Sequence, residues 1–301
     1  MRVAVTGADG FVGRWLTREL AAAGHEVVGS SDRRPDVTDA PALRAWLEDA
    51  RPAAVVHLAA ISSGPVAAAD PALAFAVNVS GTINLVDAAR HMPPAPVVLV
   101  PSSGEVYGRP DPDELPLRET APLRPRGTYA LTKAAQEAIV RVAGTRHGLP
   151  VVVARAFNHT GPGQRSSFVV PAIAARVRAV AAGDATTIPI GNLDVARDFL
   201  DVRDVARAYR LLLEGACAGA VAPGSVVNVA SGRSTTIRSI VAALCAAAGV
   251  DAPVVVDPAL VRPDEVLEVR GDASLLMSMV GWRPEIPFEQ TLGEVLAARD
   301  A

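Results

Sequence analysis

Short runs of valine and alanine recur through the first half of the chain, each separated from the next by longer stretches in which apolar residues return every three or four positions. The runs cover residues 2–6, 26–29, 54–58, 97–100 and 151–154, and the periodic stretches fall near 11–23, 78–91 and 129–145. Strands apolar on both faces must be covered on both sides, and regular alternation with helices makes them parallel. The pattern predicts an α/β fold: a doubly wound parallel sheet. After Gly163 the rhythm loosens into a helical pattern near 169–182, short strands near 187–190 and 226–229, and a proline-rich tail. This half is expected to form mostly a smaller C-terminal lobe over the carboxyl ends of the strands, where ligands of such sheets sit.

Between the first strand and the first helix stands Gly7-Ala8-Asp9-Gly10-Phe11-Val12-Gly13. Glycines allow a tight turn and close backbone approach, and the helix start offers free amides to a pyrophosphate. The fold is therefore expected to be Rossmann-type, with a dinucleotide-binding domain over 1–165, some later segments returning to it, and a substrate lobe over 166–301. Gly7, Gly10 and Gly13 would cradle the phosphates, with Phe11 and Val12 filling the space beneath the loop. About 20 residues on, Ser31, Asp32 and Arg33 stand where the adenosine ribose is read. Asp32 would accept a 2′-hydroxyl and favour NAD, whereas Ser31 with Arg33 would hold a 2′-phosphate and favour NADP. Both readings stay open.

Half of the 301 residues are apolar, enough for a substantial core. A net charge of −3 with scattered basic residues gives no footprint for nucleic acid or an acidic membrane. Cys217 and Cys245 lack the number and spacing of a disulfide framework or a metal site. With no leader-like N-terminus and no long uninterrupted apolar stretch, a soluble, cytoplasmic protein without a metal is expected. Among 29 basic residues Lys133 is the only lysine. It stands four after Tyr129, which places phenol and ammonium on one helix face. A phenol can act as an acid near neutral pH beside a cation that lowers its pKa, and arginine's planar fork is a poor substitute for a compact ammonium. Chance would place a lone lysine four after one of three tyrosines in roughly one case in a hundred.

The run at 97–100 leads into Pro101-Ser102-Ser103-Gly104-Glu105-Val106-Tyr107-Gly108. Here the chain resembles the extended short-chain dehydrogenases/reductases, whose Ser or Thr stands four before a Tyr-Gly pair. The resemblance implies a catalytic Ser103, Tyr129 and Lys133 on an NAD(P)H cofactor. It extends to Val56-His57-Leu58-Ala59-Ala60, whose Leu58, Ala59 and Ala60 would follow the adenosine. Asp36 and Val37 would lie beside the adenine, and Asn78 of Asn78-Val79-Ser80-Gly81-Thr82 would stabilise the active-site region among the cofactor residues.

Within that family, the segment from Arg155 to Gln164, the run from Ala196 to Asp204 and Arg262-Pro263-Asp264-Glu265-Val266 are similar to nucleotide-sugar enzymes, most of all to GDP-6-deoxy-4-keto-D-mannose reductases, the GDP-rhamnose-forming kind. By that likeness Asn158, Arg197 and Arg262 would hold a substrate diphosphate, with Val169 starting the helix that covers it. Two chemistries remain open. A 4-reductase would use Ser103 to bind the C4 oxygen and Tyr129 to protonate it. A 4,6-dehydratase would oxidise C4, eliminate water across C5 and C6 and return the hydride, with Glu105 as an extra acid/base; a 4-epimerase is a further alternative. The related reductases keep a glutamate at that position too, so Glu105 does not decide. Gly104 favours reduction, since many dehydratases carry a polar residue there. A dinucleotide-sensing protein without turnover would have lost part of the triad. Helices near 84–91 and 133–145, alanine-rich on their faces, are expected to pair two copies into a homodimer.

Overall fold

The computed structural model describes residues 1–29, 35–261 and 265–298. In the first half the order is β1 (Arg2–Thr6), α1 (Phe11–Ala22), β2 (Glu26–Val28), α2 (Ala40–Ala50), β3 (Ala54–His57), α3 (Gly64–Ala69), α4 (Pro71–Phe75), α5 (Gly81–Arg90), β4 (Val97–Ser103), α6 (Gly127–His147) and β5 (Val151–Ala156). Then come β6 (Asn158–Thr160), α7 (Val169–Ala181), β7 (Ile188–Ile190), β8 (Ala196–Asp201), α8 (Val202–Cys217) and β9 (Ser225–Val229). The chain closes with β10 (Ser234–Thr236), α9 (Ile237–Ala248), β11 (Val254–Val256), β12 (Glu268–Val269), α10 (Ser274–Val280) and α11 (Phe288–Ala297).

Six parallel strands form the main sheet in the order β2-β1-β3-β4-β5-β9. Because β1, β3, β4 and β5 are apolar on both faces, each face needs a helical layer. Leu16 and Leu20 of α1 and Leu212 and Leu213 of α8 cover one face; Leu43 and Leu47 of α2, Leu85 of α5 and Val140 of α6 cover the other. Thus α8 and β9, late in the sequence, complete the first sheet. A third core, built from Ile173, Val177, Phe199, Ile240 and Leu244, unites α7, β8, α9 and α11 in the smaller lobe. There β8 is flanked by β10 and β12 and also pairs with β6.

Two local departures from the sequence pattern shape the site. The strand expected to stop at Val100 runs on to Ser103, in register with β5 up to the pair Ser103 and Ala156. The helix expected over 78–91 is preceded by a π-helical turn at Ala76–Ser80, where the extra residue per turn brings Asn78 fully inside. The helical run Pro71–Arg90 is long and apolar enough to cross a bilayer by length and composition. Here it carries buried Asn78 and Thr82 and contributes Leu85 and Ala89 to the core.

Candidate active site

The glycine loop has the form that close approach demands. Gly7 takes a positive φ of 71°, and a Cβ on it would lie 2.8 Å from the Ala59 nitrogen. A Cβ on Gly13 would overlap the carbonyl oxygens of Gly7 and Ala8. Gly10 caps α1 with extended backbone and no side chain of its own to occupy the free amides of the first turn. The loop therefore fits a dinucleotide phosphate, held by the amides at the start of α1. Opposite it, Leu58 N donates to the Thr6 carbonyl and Ala59 N to Thr6 Oγ1, so Leu58, Ala59 and Ala60 lie half-buried across from Gly7.

Phe11 and Val12 are half-buried. Val12 packs on the main core, while the Phe11 ring stacks on His159 at 6.4 Å between centroids. Arg14 donates to the Gly163 carbonyl and Trp15 Nε1 to that of Pro162. These contacts, absent from any sequence reading, fasten the phosphate helix to the segment that carries Asn158. Asp36 is exposed, and one of its carboxylate oxygens accepts from Thr38 N and Oγ1, which lowers its pKa. Val37 turns into the protein against Gly81. Ser31, Asp32, Arg33 and Arg262 lie outside the described residues.

Asn78, expected to stabilise the active-site region, is fully buried beside the start of α6. Its Oδ1 accepts from Ile61 N, and Nδ2 donates to the Ile61 carbonyl and to Thr132 Oγ1, so both amide donors of a fully buried side chain are engaged. Thr132 Oγ1 in turn donates to the Tyr129 carbonyl. Asn78 thereby ties the Ile61 segment to the first turn of α6.

That turn carries Tyr129 and, one turn on, Lys133. Tyr129 is half-buried, and its hydroxyl is near enough to Ser103 for that side chain to lower the phenol's pKa. Burial first, then the Glu105 carboxylate, push the phenol above its usual pKa, while Ser103 pulls it down. Ser103 Oγ also accepts from Glu105 N, and Glu105 itself is exposed. Lys133 is 5% exposed; its Nζ donates to the Pro101 carbonyl at 2.9 Å and lies 6.0 Å from the centre of the Tyr129 ring. Burial depresses this ammonium to about 8. The ammonium thus sits against a backbone carbonyl, and burial is the largest influence on the phenol. A raised pKa keeps Tyr129 protonated, as a proton donor must be.

On the lobe side, Asn158 is exposed two residues beyond Ala156, the partner of Ser103 across the sheet. It pairs with Phe199, while Arg197, two residues earlier on β8, is half-buried and donates to the Ala196 carbonyl. Val169 is the exposed first residue of α7. Beneath Ser103 and Lys133 lies a buried cluster that single-residue motifs did not disclose: Ser102, Glu137, Arg155, Tyr107 and Asn228. Its members are up to 126 positions apart in sequence, and only the sheet brings them together.

Residues 3–230 match the family described as the NAD dependent epimerase/dehydratase family. The chain is 39% identical over 299 residues to GDP-6-deoxy-D-mannose reductase of Pseudomonas aeruginosa, covering 98% of this chain and 96% of the relative. The structure of RMD from Pseudomonas aeruginosa complexed with NADPH is similar with a TM-score of 0.90 and 38% identity, covering 98% of this chain and 97% of that one. UDP-glucose 4-epimerase of Thermus thermophilus, solved with NAD, gives a TM-score of 0.85 and 32% identity, covering 99% and 98%.

Proposed function

The chain belongs to the NAD dependent epimerase/dehydratase family, and from that premise we propose that it is a 4-reductase. Its substrate would be the C4 ketone of a nucleotide-diphosphate 4-keto-6-deoxy sugar, specifically GDP-4-keto-6-deoxy-D-mannose. The observation that carries this reading is the meeting of Tyr129 and Ser103 at the carboxyl end of β4, with Lys133 one turn further along α6. When bound, NAD(P)H supplies the hydride; likeness to both an NADPH complex and an NAD complex leaves the choice between the two open. Ser103 holds the carbonyl oxygen and Tyr129 gives it a proton as negative charge develops there. Lys133 offers the ribose a compact donor, and Asn158, Arg197 and Arg262 would take the diphosphate through charge-assisted hydrogen bonds.

Gly104 supports reduction over elimination. A Cβ there would lie 3.0–3.1 Å from three atoms of the Phe157 ring, so a larger residue beside Ser103 would require that ring to give by a few tenths of an ångström. Glu105 fits either reading: its carboxylate is close enough to Tyr129 to raise the phenol's pKa. The deciding assay mixes the protein with the keto sugar and NAD(P)H and follows absorbance of the reduced cofactor. Stoichiometric oxidation is the expected result. Conversion of GDP-mannose without added reductant would establish a dehydratase instead.

The second copy in a homodimer would dock on α5 and α6. Between these helices runs a groove of about 460 Å³ lined by Ile83, Val86, Ile139 and Val142 among others, with Ile83 and Val142 about half exposed. A cytoplasmic setting suits Cys217 and Cys245, both free thiols.

A further inference from the structure

Directly under the catalytic row lies an ion pair that takes no part in proton donation. Glu137 and Arg155 are 2% and 3% exposed. Arg155 Nε donates to both carboxylate oxygens, at 3.0 and 3.2 Å, and Nη2 donates to Oε2 at 2.7 Å. Ser102 Oγ donates to Oε1 at 2.5 Å. The remaining arm of the guanidinium, Nη1, donates to the Tyr107 hydroxyl and the Glu119 carbonyl, and Tyr107 donates onward to Asn228. Well-packed apolar side chains of similar volume are often no less stable than such a buried pair, so stability alone gives little reason for it.

Location gives a better one. Glu137 is one helical turn beyond Lys133 and two beyond Tyr129 on α6. Ser102 precedes Ser103 on β4, and Arg155 precedes Ala156, the partner of Ser103, on β5. One carboxylate therefore ties together the three segments that carry the proton donor, the oxygen-binding hydroxyl and the approach to Asn158. The geometry points to Glu137 as a positioning residue for the reduction: it fixes α6 against the ends of β4 and β5 and keeps a negative charge beneath the Lys133 ammonium.

The charges around Lys133 are consistent with that role. Burial depresses Lys133, and the Glu137 carboxylate opposes the depression. His57, at the end of β3, is held neutral by burial and by Lys133 itself. Tyr129 on the same helix stays protonated, Glu105 after β4 acts on Tyr129, and the Arg155 guanidinium on β5 is engaged by Glu137 and Tyr107. Glu137 is the negative partner that favours the charged lysine.

The inference rests on the reductase reading for its catalytic consequence alone, because Lys133 can be followed without any sugar. As the sole lysine, it gives one side-chain signal when the protein is labelled with 13C at the lysine ε-carbon. The native signal should titrate near 8. In Glu137→Gln the midpoint should fall by about one unit or more, as expected when a nearby opposite charge is removed. The alkaline limb of kcat/KM should move down with it, and kcat should fall at least about tenfold while the dinucleotide Kd changes less than about threefold. The pair Glu137→Leu with Arg155→Leu replaces both charges together, a change buried pairs often tolerate, and should lower the midpoint too. A native midpoint in either folded variant overturns the assignment. Failure of the native protein to reduce the keto sugar would sink the substrate reading, and the titration would still decide the role of Glu137.

Discussion

Tyr129 and His57 show what burial does to single groups here. Removing the phenol hydroxyl in Tyr129→Phe should cut kcat by about 10²–10⁴-fold, the usual contribution of a positioned proton donor, and leave dinucleotide affinity within a small factor. Stopped-flow turnover and fluorescence titration of NAD(P)H check the two halves. His57 is fully enclosed at the end of β3, with Nδ1 2.8 Å from Thr6 Oγ1, and burial first and Lys133 second lower its pKa to about 3. The unfolded chain binds a proton at this residue below its ordinary value of about 6.5, whereas the folded one does not until about pH 3. Stability is therefore lost as pH falls through that window, by on the order of 5 kcal/mol in total. Melting temperatures between pH 7 and 4 should drop less steeply in His57→Gln than in the native protein.

At the scale of elements, the loop between β1 and α1 has the least freedom. In Gly13→Ala the new methyl would overlap two backbone oxygens, which cannot swing aside as a side chain can. Dinucleotide affinity should fall about tenfold or more and stability by about 1–3 kcal/mol, measurable by calorimetry. This loop was legible in the sequence because its glycines are closely spaced and its strand and helix are strongly patterned. The same holds for Tyr129 and Lys133, joined by one helical turn. The π turn at Ala76–Ser80 was not legible: an inserted residue leaves the apolar spacing of α5 intact, and only the bonds of Asn78 reveal it. Nor was the cluster around Glu137, whose partners come from different strands. Arg155 stood in plain view at the head of the segment from Arg155 to Gln164, but its binding partner is on a helix 18 positions earlier.

For the whole molecule, the groove between α5 and α6 predicts that Val142→Glu, alone or with Ile83→Glu, shifts the protein toward a monomer, which light scattering would register. The sheet carries a different consequence. Its edge beside β5 is closed by β9, and one of its faces is roofed by α8, so two parts of the main sheet's layer are made only after the smaller lobe has begun. During synthesis β5 waits with an unpaired edge and an uncovered apolar face until about residue 229 has left the ribosome, an arrangement that invites aggregation. A fragment ending at residue 165 should be insoluble when expressed alone, and supplying α8 and β9 in trans as a separate peptide, residues 196–232, should rescue part of it into the soluble fraction. The protein's two halves are thus interleaved in time as well as in space, and neither can be inherited, truncated or transplanted as a free-standing module.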